Sequence, residues 1–178
     1  MIISIIGRIR SGKSTVRKLI EQEAATYGIT FKHVRFADPI YKEVEDFYDR
    51  WDIPYRKFRP LFDAIGEVLA EHGKGDKVNQ YFVDQLLHTR GNIIVDDCRR
   101  ISQTDFLKWD GTITIRVNSD NTTRKERCAP GEWTDNHISD TELDRYPVDF
   151  NIKNDGSLEN LKSAVKDVCK NIFSRIKT

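Results

Sequence analysis

The segment that most limits what this chain can become is its opening. An apolar run, Ile2-Ile-Ser-Ile-Ile6, leads into Gly7-Arg-Ile-Arg-Ser-Gly12-Lys13-Ser14, after which Val16, Leu19, Ile20 and Ala24 recur at helical spacing to about Tyr27. A short apolar run ended by glycine reads as a buried strand, and the spacing of three and four after it as one face of a helix. The loop between them satisfies G-x-x-x-x-G-K-[ST] in full, in the strand-to-helix context that its mechanism needs. Glycines let the backbone wrap an anion, successive N–H groups point inward, and the helix start adds the positive end of its dipole. Gly7, Arg10, Ser11, Gly12, Lys13, Ser14 and Thr15 are therefore the expected nucleotide-phosphate contacts. Lys13 is expected on the β- and γ-phosphates, the Ser14 hydroxyl on Mg²⁺, and Thr15 near the α-phosphate.

The remaining pattern continues the α/β theme. Phe31 to Phe36 alternates as a second strand broken at Ala37-Asp38-Pro39. A block of helical periodicity follows, over Tyr41–Trp51, Phe58–Leu69 and Asp76–Thr89, interrupted at Gly73-Lys74-Gly75. Asn92–Val95 reads as a third, fully buried strand that delivers Asp96 and Asp97 at its end. Ile101–Trp109 suits a helix, Thr112–Val117 a fourth strand and Val148–Ile152 a fifth. Leu158, Leu161, Val165, Val168, Ile172 and Ile176 mark a last helix, with Ser157 as its cap. The expected fold is α/β in three layers: a five-stranded parallel sheet flanked by helices, forming one domain. Residues of about 38–90 would be a helical insertion, and the polar, turn-rich residues 118–146 a lid.

Composition removes several function classes. Lys and Arg number 29 against 28 Asp and Glu, a formal net charge of +1, so no global field selects nucleic acid. No apolar run approaches the roughly 18–20 residues of a membrane span, and the apolar start lacks signal-peptide flanks. Cys98, Cys128 and Cys169 are odd in number and contain no CxxC pair, which disfavours a disulfide framework or zinc site and favours a reducing cytoplasm. A GTPase would carry Asn-Lys-x-Asp near a late strand, and Asn151-Ile-Lys-Asn154 lacks that order. A helical block after strand two and an arginine-bearing segment after strand four suit a small-molecule kinase that closes over two ligands to exclude water.

Phosphoryl transfer needs cations on the moving group, and arginine's planar fork supplies them. Arg124 and Arg127, three apart on one helical face, are the lid candidates; a solvated face paired with Glu126 or Asp120 is the plainer alternative. Arg99 and Arg100 follow Asp96 and Asp97 at the strand end where ligands of open sheets collect. Asp96 or Asp97 would hold Mg²⁺ through water, or one of them would cap the next helix. Asp38 is a turn former or an acceptor contact. His137 beside Asp135 is a proton shuttle or, more ordinarily, a surface residue. The cluster Phe47, Tyr48, Trp51 and Tyr55 is a nucleobase stack or, as its helical spacing more ordinarily means, core.

In order and spacing, several segments together resemble bacteriophage deoxynucleoside monophosphate kinases: Gly7–Thr15; Phe36-Ala-Asp-Pro-Ile40 with Lys42; Arg59-Pro-Leu-Phe with Gly66-Glu67; Ile94-Val-Asp-Asp-Cys-Arg99; and His137-Ile-Ser-Asp-Thr-Glu-Leu143. The resemblance implies ATP as donor, Mg²⁺, and a small phosphate acceptor, a deoxynucleoside monophosphate. It also implies an acceptor-binding insertion and a lid, with Asp38, Lys42, Arg59 and Asp97 or Arg99 facing the acceptor. On the residues themselves, Lys13, Asp97, Arg99, Arg124 and Arg127 are expected to carry the transfer, and Ser14 and Asp97 to hold the metal. Asp63 stands where that family tends to have an amide, Glu67 where threonine is usual, and both departures bear on base preference. A 5-modified pyrimidine such as 5-hydroxymethyl-dUMP is an admissible acceptor. Asp97-Cys-Arg-Arg-Ile-Ser with Arg124, Arg127, Gly131 and Trp133 also resembles animal-type phosphomevalonate kinase, and the first fifteen residues resemble dephospho-coenzyme A kinase. A nucleotide-binding regulator without turnover and a kinase of modified bases in DNA are the readings from other classes. A phage-encoded chain would work in the host cytoplasm, and the sequence leaves a homodimer open.

Overall fold

The computed structural model describes residues 1–55, 58–108, 111–128 and 141–174, with the side chains of Arg59, Asp63 and Ala70 outside the description. The chain divides into two units, Met1–His33 with Gly91–Thr178, and Val34–Arg90.

The larger unit is built on five parallel strands: β1 (Ile2–Ile6), β2 (Phe31–His33), β3 (Asn92–Val95), β4 (Thr112–Asn118) and β5 (Phe150–Lys153). Their order across the sheet is β2-β3-β1-β4-β5. Ile3 pairs with Ile94 on one side and Ile113 on the other, and Ile115 pairs with Phe150. Because alternate residues face opposite ways, Ile3 and Ile5 join one core with Ile94, Ile115, Val117 and Ile152. Over that face lie α1 (Lys13–Thr26), through Val16, Ile20 and Ala24, and the last helix, α7 (Leu158–Phe173), through Leu161, Val165, Val168, Cys169, Ile172 and Phe173. Ser4 points the other way, where its hydroxyl meets the Cys98 thiol (3.8 Å) beneath the short helix α5 (Ile101–Phe106). Helices therefore cover both faces of the sheet.

Local signals set the helix ends. Gly28 (φ 73°) closes α1: its N–H bonds Ala25 O at 3.0 Å and that of Ile29 bonds Ala24 O at 3.0 Å, the paired bonds of a glycine C-cap. Ser157 Oγ accepts from Asn160 N (3.2 Å) and Asn160 Oδ1 accepts from Ser157 N (3.1 Å), a reciprocal cap at the head of α7. Between β4 and β5 lies α6 (Asn121–Glu126), started by Asp120, whose Oδ1 accepts from Thr123 N (2.8 Å).

The Val34–Arg90 unit holds α2 (Asp38–Arg50), α3 (Arg59–Glu71) and α4 (Gly75–His88). Val44, Tyr48 and Phe62 form its core with Ile40, Tyr41, Leu61 and Ile65 around them, and Phe36 stacks on Phe82 with centroids 3.6 Å apart. This corrects the second strand, which stops at His33 rather than Phe36: Val34 and Phe36 are buried, but in the helical unit. The fifth strand begins at Phe150, not Val148, because Asp149 is spent on a bridge to Thr114, its carboxylate accepting from Thr114 N (2.8 Å) and its N–H bonding Thr114 O (2.9 Å). The helix expected to reach Trp109 ends at Phe106. No helix among the described residues is long and apolar enough to cross a membrane.

Candidate active site

The loop after β1 adopts a conformation that few sequences tolerate. Gly7 has φ 145°, and a Cβ there would meet Val117 O at 2.4 Å; Gly12 has φ 100°, and a Cβ there would meet Asn154 Nδ2 at 2.2 Å. Arg10 takes φ 59° between them, in the left-handed region although it is not glycine. Gly12 caps α1 without a side-chain hydrogen bond, and no acidic residue occupies the first turn, so the helix start is left for an external anion. Ser11 Oγ is buried with no hydrogen-bond partner among the described residues, a further donor held inside the loop. Lys13 Nζ spans the loop, donating to Gly7 O (2.7 Å) and Arg8 O (3.0 Å). These features fit a polyphosphate: a cradle without Cβ atoms, an uncapped helix start and a lysine at its rim.

Beside the loop, Asp96 at the end of β3 is 7% exposed. Its Oδ1 meets His33 Nε2 at 2.7 Å and its Oδ2 accepts from Arg17 Nε at 3.2 Å. Burial raises its pKa, but the hydrogen bond and charge of His33, the charge of Arg17 and a hydrogen bond from the Ser14 hydroxyl outweigh it, holding the carboxylate below the usual 3.8. Asp96, of the two aspartates at this strand end, is thereby the buried one held by His33 and Arg17. Asp97, the residue expected on the metal, is its half-buried neighbour. Arg17 and His33 were not singled out in the sequence; one sits in the helix and the other at a strand end, with no motif to mark them.

The two arginines expected in the lid both reach the phosphate loop. Arg124 is 2% exposed; its Nη1 donates to Ile9 O (3.1 Å) and its Nη2 to Asn121 Oδ1 (2.7 Å). Arg127 donates through Nη1 to Arg10 O (3.4 Å) and Ser119 Oγ (3.3 Å), and through Nη2 to Asn154 O (3.0 Å). Both therefore brace the outside of the phosphate loop, which corrects the solvated-face alternative as well. Residues 118–128 are tied down by these bonds, while Gly131, Trp133, Asp135 and His137 lie outside the described residues.

A cavity of about 260 Å³ opens at the carboxyl ends of β1, β3 and β4, lined by Gly7, Arg8, Arg99, Arg116, Asn118 and Asp144 among others. Strand ends of an open parallel sheet are where ligands collect. Arg8 is paired with Asp144 (Nε to Oδ1 3.0 Å), and Arg116 Nη2 donates to Leu143 O (2.7 Å) and Tyr146 O. Three arginines against one aspartate give the cavity a positive balance. Arg100 leaves this group: its Nη1 donates to Glu142 Oε2 at 2.8 Å.

In the helical unit, Asp38 sits at the start of α2, its Oδ1 accepting from Arg35 Nε (2.5 Å), while the Arg35 guanidinium lies 4.2 Å from the Tyr41 ring centroid. Lys42, on the same helix, is exposed and 3.5 Å from Asp46. The Arg59 side chain lies outside the described residues.

A family model described as deoxynucleotide monophosphate kinase matches residues 76–165, just over half of the chain. No curated protein sequence matches. Among solved structures the chain is similar to shikimate kinase from Aquifex aeolicus (TM-score 0.58, 19% identity, 99% of each chain covered). It is also similar to the APS kinase of Mycobacterium tuberculosis in complex with AMPPNP and APS (TM-score 0.54, 13% identity, 99% of this chain and 97% of that one). A gluconokinase from Sinorhizobium meliloti aligns with a TM-score of 0.51 and 18% identity over 98% of this chain and 94% of that one. At these identities the likenesses show the fold, a parallel sheet flanked by helices of the phosphate-loop kinase type. With the family match, the molecule is a phosphotransferase, and the chain belongs to the deoxynucleotide monophosphate kinase family.

Proposed function

We propose that this chain transfers the γ-phosphoryl group of ATP to the 5′-phosphate of a deoxynucleoside monophosphate, with 5-modified pyrimidines such as 5-hydroxymethyl-dUMP among its acceptors. The observation that carries the reading is the phosphate loop, whose two glycines are pressed against Val117 O and Asn154 Nδ2 so closely that no side chain fits, at the head of an uncapped helix. Family membership supports ATP as donor and a nucleotide as acceptor.

In this reading an oxygen of the acceptor phosphate attacks Pγ in line, the new P–O bond forms as the bond to the β-phosphate oxygen breaks, and ADP leaves. That oxygen is already ionised at neutral pH, so no side chain needs to remove a proton, and His137 has no required role. Loop amides hold the donor phosphates, and Lys13 neutralises charge at the β–γ bridge. Ser14 and Asp96, with Asp97 adjacent, are the residues that would hold Mg²⁺. When bound, that ion screens the charge of the donor phosphates. Arg99 supplies positive charge to the acceptor phosphate from the cavity at the strand ends. Arg124 and Arg127 act through the loop they brace. Asp38, Lys42 and Arg59 contact the acceptor from the 38–90 insertion, and residues 118–146 form the lid, each proposed from the resemblance.

The test is ADP release in a coupled assay with ATP and Mg²⁺ against a panel of deoxynucleoside monophosphates, including 5-hydroxymethyl-dUMP, with phosphomevalonate and dephospho-coenzyme A alongside. Turnover on one nucleotide is the expected result and fixes the base. Turnover confined to phosphomevalonate or dephospho-coenzyme A overturns the acceptor, and silence on all acceptors overturns small-molecule transfer.

A further inference from the structure

Three successive carbonyl oxygens of the phosphate loop accept hydrogen bonds from outside it: Ile9 O from Arg124, Arg10 O from Arg127 and Ser11 O from Asn154. In a planar trans peptide the C=O and the following N–H point in opposite directions. Turning these carbonyls outward therefore turns the N–H groups of Arg10, Ser11 and Gly12 toward the concave side, the arrangement that makes an anion-binding nest. The Ser11 N–H already closes a turn there onto Arg8 O at 3.2 Å.

Of the three outer contacts, the one from Asn154 is the shortest, at 2.7 Å, and is itself buried. Asn154 is 7% exposed, and its own backbone is fixed on both sides: its N–H bonds Asn118 O at 2.7 Å and its carbonyl accepts from Arg127 Nη2 at 3.0 Å. The carboxamide also occupies the place a Cβ at residue 12 would need, 2.2 Å from Nδ2, so the end of β5 and the loop meet with nothing between them. Such a contact calls for a short, uncharged donor; aspartate would turn only acceptors toward Ser11 O.

We infer that Asn154 is a positioning residue for ATP: its carboxamide holds the Ser11–Gly12 peptide in the orientation that aims the loop amides at the donor phosphates. This rests on the loop being the ATP site. Asn154→Asp keeps shape and removes the donor; Asn154→Ser keeps a donor but shortens it. Asn151→Ala is the control, since Asn151 lies exposed on β5, three residues before Asn154, and its side chain accepts only from Asn118 Nδ2 (3.2 Å) among the described hydrogen bonds.

ATP is titrated calorimetrically without acceptor, KM is measured for ATP and for the acceptor, and each variant is used below its melting temperature. Losing one positioning hydrogen bond is expected to raise the Kd and KM for ATP by ~10–100-fold in Asn154→Asp. Asn154→Ser should fall between it and the wild type. The acceptor KM and the control should stay within about twofold of wild type, since neither loses a bond to the loop. ATP affinity unchanged in both Asn154 variants overturns the inference, as does a parallel rise of both KM values in step with lost melting temperature. If the unaltered protein binds no ATP, the reading of the loop fails instead, and the two failures are told apart by that titration.

Discussion

Replacing Asp96 by asparagine separates the electrostatics of this site from its shape. The carboxylate is 7% exposed and serves His33 at 2.7 Å and Arg17 at 3.2 Å. Asparagine keeps one acceptor oxygen and turns an NH₂ group toward the other donor. A hydrogen bond to a charged group contributes about 1.5–3 kcal/mol, and removing one partner of a buried pair costs about 3–5 kcal/mol. Here Arg17 is 15% exposed and retains Glu21 at 2.6 and 2.8 Å, which puts the loss near the lower figures. About 2–3 kcal/mol is expected at pH 7, or a melting temperature roughly 4–12 °C lower for a domain of this size. The pH dependence has a definite sign. Asp96 titrates below its ordinary 3.8, so its contribution is present above that pH and is lost as pH falls through the lower folded value. Urea unfolding at pH 7, 5 and 3 should show the gap between wild type and variant full at the first two and narrowed at the third. A gap that persists undiminished in acid, or one under about 0.5 kcal/mol at pH 7, would refute the assignment of a paired carboxylate, since surface substitutions lie within that range.

Lys13→Ala is expected to lower turnover by ~10²–10³-fold, the usual effect of removing one preorganised charge donor, with the circular dichroism melt retained; an unchanged rate would remove Lys13 from the site. Arg127→Ala should act on ATP rather than on the chemical step, because its guanidinium holds Arg10 O and Asn154 O. Its KM for ATP is expected to rise about 5–20-fold, and a fall in kcat alone would return Arg127 to the transferring phosphoryl. Ser157→Ala removes the oxygen that accepts from Asn160 N and should cost about 1 kcal/mol in a melt without altering kcat. An unchanged melting temperature would mean that this cap contributes nothing.

What the sequence made legible is what local pattern can encode. Ile2–Ile6 and Asn92–Val95 were readable because buried parallel strands are near-continuous apolar runs, broken here only by Ser4 and Asn92, and α7 because its stripe and its Ser157 cap agree. Alternation in Phe31–Phe36 does not say which core receives each residue; Phe36 goes to Phe82, not to the sheet. That Asp96 rather than Asp97 is buried against His33 and Arg17 depends on which way each side chain leaves the end of β3, and no local pattern carries that. Asn154 lies 143 residues from the carbonyl it holds and was noted only for failing a guanine motif. For Arg124 and Arg127 the spacing shows that two side chains share a face, but not that this face meets the carbonyls of Ile9 and Arg10.

The strand lengths have a consequence for the purified protein. Among the described residues the inner strands have seven residues in β4, five in β1 and four in β3, and the two rim strands are short, three residues in β2 and four in β5. A rim strand is where an unfolded or neighbouring chain can add itself by backbone pairing, and the exposed stretch of N–H and C=O groups sets how much it gains. Here that template is only three or four residues long on either side, so aggregation by strand addition has little to grow from.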